Sequence, residues 1–363
     1  MRRLSATNLL LGITISSCLI SSLGFQTTSL KSALPRHSTP SSLKLATSPF
    51  ASPATSPATS TTRLDAVPIE LWTSMLPPTM GFIKSEWIVS YGYGFGVALS
   101  ALSLLLKQPQ QMSIATVHAA ALIFYGFRLN TFLFIRNRLS STYRDIGKKI
   151  DEKSKERFST RIARTPFVVS CGLLYYGLYL PVLLTSKLVN DATAMQSANA
   201  GVGIGMNVIK LLVGLQWFGY MVAAVGDLTK SYVKASEKNG KFLVTSGIFS
   251  FLRHPNYTGE ILAWTCNSLS GTIAASYLLR NKFSFKILSY LGLSMVGWIG
   301  MSFVLLRATT GLEERQKNEY GNTDTYKEWI KKTWSGWKLG AEDDKTHEIT
   351  MDEETQEDYG SGI

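Results

Sequence analysis

Six apolar stretches, each about as long as a bilayer hydrocarbon core is thick, leave this chain few folds to choose from. They lie at 86–106, 112–135, 165–186, 201–226, 259–280 and 285–306. In hydrocarbon every backbone N–H and C=O must find a partner within the protein, so a spanning segment is a helix or a barrel strand. A run of about 20 residues is twice what a barrel strand needs and fits one helical crossing. The expected fold is therefore all-α: a polytopic transmembrane bundle of about six mature spans, followed by a C-terminal amphipathic helical segment. The lipid bilayer is its expected surroundings.

Charge sets the orientation. Residues 136–164 carry ten Lys/Arg against four acids, and the segments before the fifth span and after Leu306 are also basic. The alternate loops hold only Lys107, Lys187 with Asp191, and Arg280 with Lys282. By the positive-inside rule the basic loops share the cytosolic or stromal side. An even number of spans puts both mature termini there too. The 136–164 run reads as a solvated, orientation-setting loop. No nucleic-acid partner is expected, because the basic residues sit beside spans and form no groove or known binding motif. Cys18, Cys171 and Cys266 lie far apart in apolar runs, as small hydrophobes do, so neither a disulfide framework nor a metal site is expected.

The two ends differ in kind. Residues 1–24 read as a signal peptide: Arg2-Arg3, an apolar run from Leu9, then small residues through Gly24. Residues 25–64 are rich in Ser, Thr, Pro and Ala and hold no acid, a transit-peptide-like disordered leader. Together, with Phe25 at the join, they resemble the bipartite presequence of algae with complex plastids. A plastid membrane is the expected location, with the endoplasmic reticulum as the alternative. Residues 339–363 form an acidic tail too poor in apolar residues to pack. The membrane domain is expected at 85–338.

Within that domain the stretch 226–264 concentrates the chemistry. A basic, turn-rich loop ends in Arg253-His254-Pro255-Asn256-Tyr257 and enters an apolar run. Proline suits the first turn of a helix, where its missing N–H would have no partner, so the helix is expected to start at Pro255. Its free N–H groups and positive dipole end then lie beside Arg253, a setting for phosphate or carboxylate. Tyr257, Glu260, Ile261 and Trp264 fall on one face. A carboxylate on a membrane helix is costly and marks a site unless it is paired; Arg128 and Arg307 are the available structural partners. Arg128 itself either snorkels to the interface or reaches this site. His118 is expected to be a hydrogen-bonded interior histidine. Gly92, Gly94 and Gly96 suit close helix packing. Gly201, Gly203 and Gly205 lack the strand and downstream acid of a dinucleotide loop.

These residues resemble a known group. Arg253 to Tyr257 with Gly259-Glu260 is similar to the C-terminal signature of the membrane steroid 5α-reductase and sterol-reductase superfamily. Gly126-Phe127-Arg128-Leu129, Arg136-Asn137-Arg138, Asp227-Leu228-Thr229-Lys230, and Gly311 to Arg315 with Tyr320-Gly321 and Tyr326 resemble a broadly distributed branch of it. Thr258 departs from a commonly aromatic position, and 334–338 lacks a closing proline. The resemblance implies NADPH-dependent saturation of a carbon–carbon double bond in a hydrophobic, steroid-like lipid. It implies that Arg253 binds a cofactor phosphate, Asn256 hydrogen-bonds the cofactor, and Tyr257 and Glu260 both meet the cofactor and act in catalysis, Tyr257 lining its site and Glu260 orienting a ribose or amide group or Arg253 itself. Asp227, Lys230 and His254 would border the cofactor entry, and Arg307, Tyr320 and Tyr326 would close it. A second resemblance stands beside the first. Isoprenylcysteine and phospholipid methyltransferases share a similar Arg-His-Pro run and a later Glu before an aromatic-Gly pair. In that case the cofactor is S-adenosylmethionine, met by Glu260 or Glu313. A non-catalytic membrane scaffold is the remaining alternative.

Overall fold

The structure is a computed structural model that describes residues 68–107, 112–139, 141–158, 160–194, 200–236 and 243–339. The leader expected at 1–64 and the tail from 340 lie outside the described residues, as does the basic stretch 237–242.

The described chain is all-α. Its helices are α1 (Ile69–Met75), α2 (Glu86–Val89), α3 (Tyr91–Lys107), α4 (Ile114–Leu139), α5 (Ser141–Arg157), α6 (Thr165–Ala194), α7 (Ala200–Ser236), α8 (Pro255–Asn281), α9 (Phe285–Tyr320) and α10 (Asp324–Lys332). Among the described residues, five segments are long and apolar enough to cross a membrane: Glu86–Lys107, Ile114–Arg138, Ile162–Ala192, Gly203–Val233 and Phe285–Tyr320. The fifth expected span, α8, is 27 residues long but falls short in apolarity. The reason is its position. α6, α7 and α9 all pack on α8, so most of its residues meet protein rather than lipid, and a shielded helix can carry Asn256, Glu260 and Asn267.

Close backbone contact brings α7 onto α8. A Cβ on Gly259 would strike the Gly219 carbonyl, and one on Gly219 would sit 2.5 Å from the Gly259 carbonyl. Of the glycines expected in α3, Gly94 does the same work against α4, where Gly126 rests on its carbonyl, while Gly92 lies against Pro78 and Gly96 against Ser74 and Tyr175. Some polar groups at the centre are paired with one another. His118 bonds Thr185 through Nδ1 at 3.2 Å and Asn267 through Nε2 at 2.9 Å, and Asn267 Nδ2 donates to the Leu178 carbonyl at 2.9 Å. His118 is thus the interior histidine that its sequence position implied.

Three features depart from the sequence reading. Residues 141–157 are a helix, not a loop: Ile146 and Ile150 lie one turn apart in an otherwise charged run. Ile150 is buried, and Asp151 Oδ1 accepts from the Ser85 backbone N–H at 2.8 Å and its hydroxyl at 2.7 Å. The segment 69–82 packs antiparallel to α3, with Glu70 paired to Lys107 at 2.7 Å and Gly81 against Ile88. Pro68 therefore emerges at the Lys107 end, opposite the end where Ser85 meets the basic helix α5, and not beside the C-terminal segment. Finally, α9 has 36 residues, about 54 Å at 1.5 Å each, far more than a 30 Å hydrocarbon core. Its last turns project beyond the bilayer and carry Glu313 to the mouth of α8. The expected amphipathic segment is α10, which buries Tyr326 and Trp329 and exposes Lys327, Glu328, Lys331 and Lys332.

Candidate functional site

The helix expected at Pro255 starts there, with proline in the first turn and His254 at the N-cap. His254 does not cap with its side chain. Its ring reaches instead to α9, where Nε2 lies 2.5 Å from Glu313 Oε1. Burial holds the His254 pKa below its ordinary value, and Glu313 only partly opposes this. A neutral ring with Nε2–H donating to the carboxylate satisfies both groups.

Arg253 is only 3% exposed, and its donors are spent on the protein. Nε donates to the same Glu313 oxygen at 2.9 Å, while one terminal nitrogen donates to the carbonyls of Ile330 at 3.1 Å and Thr333 at 3.3 Å. Its backbone N–H meets the Trp334 carbonyl at 2.8 Å, and Trp334 returns a bond to Phe251 at 3.1 Å. Arg253 thus rivets the loop before α8 to α9 and to the segment after α10. It is not presented to a phosphate in this arrangement. The segment it holds explains both sequence departures together: Gly336, at φ 78°, lies so close to Thr258 that a Cβ would strike the Thr258 hydroxyl. A small residue at 258 and a glycine at 336 let the strap 333–339 lie directly over the first turn of α8.

Deeper along α8, the face of Tyr257, Glu260, Ile261 and Trp264 points inward, and all four residues are buried. Glu260 is 2% exposed. Its Oε2 accepts from the Tyr125 hydroxyl at 2.8 Å, and that hydroxyl lies 3.0 Å from the Tyr93 hydroxyl. Because one O–H donates once, Tyr93 must donate to Tyr125 when Tyr125 donates to Glu260. Aromatic rings enclose the chain: Tyr125 stacks on Tyr220 at 4.4 Å, and Trp264 stands edge-on to Tyr125 at 5.2 Å.

Arg128 lies one turn along α4 from Tyr125, its guanidinium carbon 5.8 Å from that ring. It reaches inward rather than snorkelling. One terminal nitrogen pairs with Asp227 Oδ2 at 3.1 Å, with the side chains 12% and 7% exposed. Its Nε and second terminal nitrogen are buried with no partner. Arg136 and Lys230 also act electrostatically on Asp227. Charge interaction couples Glu260 to Arg128 without a direct ion pair, so neither structural partner named above neutralises it by contact.

The sequence-derived set therefore divides. Asp227, Lys230, Tyr257 and Glu260 gather with Arg128 inside the bundle, and Asn256 is buried in the first turn of α8 above them. Arg253 and His254 lock to Glu313. Tyr320 and Tyr326 pack with Leu243, Val244, Phe249 and Trp329 in a separate small core outside the bundle. Arg307 is half-buried on α9 and makes no ion pair among the described residues. Tyr93 and Tyr125 were missed. Tyr125 could have been found, since it precedes Arg128 by three residues and so shares its face; Tyr93, hidden in the glycine run of α3, gave no such signal.

A family model described as a protein of unknown function, DUF1295, matches residues 80–333. The chain belongs to this family. The matched span of DUF1295 contains every residue of the Glu260 and Glu313 clusters and leaves out the strap from Trp334. No curated protein and no solved structure matches the chain.

Proposed function

We propose that this protein is a membrane-embedded, NADPH-dependent reductase that saturates a carbon–carbon double bond in a hydrophobic, steroid-like lipid. The observation that carries the reading is the buried chain Tyr93–Tyr125–Glu260, set beside an arginine with two unpartnered nitrogens. Buried guanidinium nitrogens without partners are costly and suit an anionic group that completes them. Arg128 and Lys230 fit the phosphates of NADPH; Arg253 does not, being spent on Glu313. The cofactor supplies hydride to one carbon of the double bond. The chain's own residues do the rest. Tyr125 donates its proton to the neighbouring carbon and takes one in turn from Tyr93; Glu260 orients the Tyr125 hydroxyl, and Arg128 beside the chain offsets the negative charge left on the tyrosine pair. The enclosing rings of Tyr220 and Trp264 exclude water, which strengthens each of these interactions.

The test is ligand stabilisation of the purified protein. NADPH at about a hundredfold excess over its dissociation constant adds roughly 2.7 kcal/mol to stability, and Arg128→Gln removes that gain. Stabilisation by S-adenosylmethionine and not by NADPH rejects the reductase and supports the methyltransferase. Stabilisation by neither leaves the scaffold reading standing.

A further inference from the structure

A cavity lies away from Glu260, on the basic side of the bundle. It has a volume of about 300 Å³, and is lined by α2, α5, the turn after α5 and the start of α6. That volume is at the small end of ligand pockets. Its two halves differ in chemistry. Ile88, Val89, Ile150 and Phe167 make an apolar floor, and Lys153, Arg157 and Arg164 supply cations. Arg164 is 4% exposed; it gives one bond, to the Gly81 carbonyl at 3.1 Å, and its Nε is buried without a partner. Among the lining residues Glu86 is the one acid, and it presses on the α5 backbone at Gly147, where a Cβ would strike its carboxylate. Asp151 does not line the cavity and is held by Ser85. α5 is thus pinned over the pocket by contacts on one face and presents its cations from another.

We propose that this cavity binds a single-chain amphiphile with a phosphate headgroup, its tail on Ile88, Val89, Ile150 and Phe167 and its phosphate on Lys153, Arg157 and Arg164. Three cations from two elements converge as phosphate recognition requires. The pocket is too small for two acyl chains. Its setting, beside a strongly basic helix where spans end, is where anionic headgroups gather. The site is independent of the reductase reading and uses none of its residues.

The experiment is a thermal-shift titration of the full chain in a neutral detergent with dodecyl phosphate, dodecanol and inorganic phosphate. Dodecyl phosphate raises the unfolding temperature at concentrations where the other two do not. Two variants then separate charge from shape. Lys153→Ala with Arg157→Ala weakens the apparent affinity at least about tenfold, and Ser154→Trp, which fills the pocket without removing a charge, abolishes the shift. Equal shifts from dodecanol, equal shifts from inorganic phosphate, or a dodecyl phosphate affinity unchanged in both variants each overturn the proposal.

Discussion

Removing Glu313 is the sharpest way to ask whether the mouth of the bundle is riveted as described. One oxygen, Oε1, takes donors from both Arg253 at 2.9 Å and His254 at 2.5 Å. In Glu313→Ala the Arg253 guanidinium stays buried without its counter-charge, and breaking such a pair from one side costs about 3–5 kcal/mol. Arg253 keeps its bonds to the Ile330 and Thr333 carbonyls, so the lower end, about 3 kcal/mol, is expected. For a domain of this size that is a fall of about 6–12 °C in Tm. Glu313→Gln keeps an acceptor oxygen and loses only the charge-assisted part, roughly half the strength, or about 1–2 kcal/mol. The double variant Arg253→Met with Glu313→Leu leaves no buried charge and recovers at least half of the Glu313→Ala loss. Thermal unfolding in detergent, read by tryptophan fluorescence, measures all three. Trp329 sits against the Phe249 carbonyl in the adjoining core and reports the same region. If Glu313→Ala unfolds within about 1 °C of wild type, or falls no further than Glu313→Gln, Arg253 is not held by this pair and is free to meet a ligand.

Three further outcomes rest on the same packing. Glu260→Gln keeps an acceptor for Tyr125 but removes the charge, so turnover of NADPH with an unsaturated lipid drops at least about a hundredfold while Tm changes little; retained turnover rejects a role for Glu260 in the chemistry. Gly259→Val forces α7 away from α8 at their closest approach, and overpacking of this kind costs about 1–3 kcal/mol or more, seen as lower Tm and weaker NADPH stabilisation together. His254 is held below the ordinary imidazole value of 6.5 by burial, so the unfolded chain binds its proton more readily than the folded one. Its contribution to stability is therefore complete above about pH 6.5 and is lost as pH falls through the lowered value; the Tm of His254→Gln, measured across that window, declines less steeply than that of wild type.

The sequence by itself determined the class of fold, the helix start at Pro255, the buried face of Tyr257, Glu260 and Trp264, and the interior place of His118. These rest on local rules, namely run length against bilayer thickness, proline at a first turn, and 3.6-residue periodicity. It also flagged Thr258 and the segment 334–338 as unusual, without joining them. Tertiary structure decided which charges meet. Arg253 and Arg128 are alike in sequence, each a lone arginine beside an apolar run, yet one is consumed by a glutamate sixty residues on and the other keeps two nitrogens unpartnered. The Tyr125 hydroxyl reaches Glu260 from another helix, and the Tyr93 hydroxyl reaches Tyr125 from a third. α8 is hidden from lipid only because three neighbours surround it. No local pattern encodes such pairings, because electrostatic and hydrogen-bond energy depends on distance and burial in space, and packing sets both.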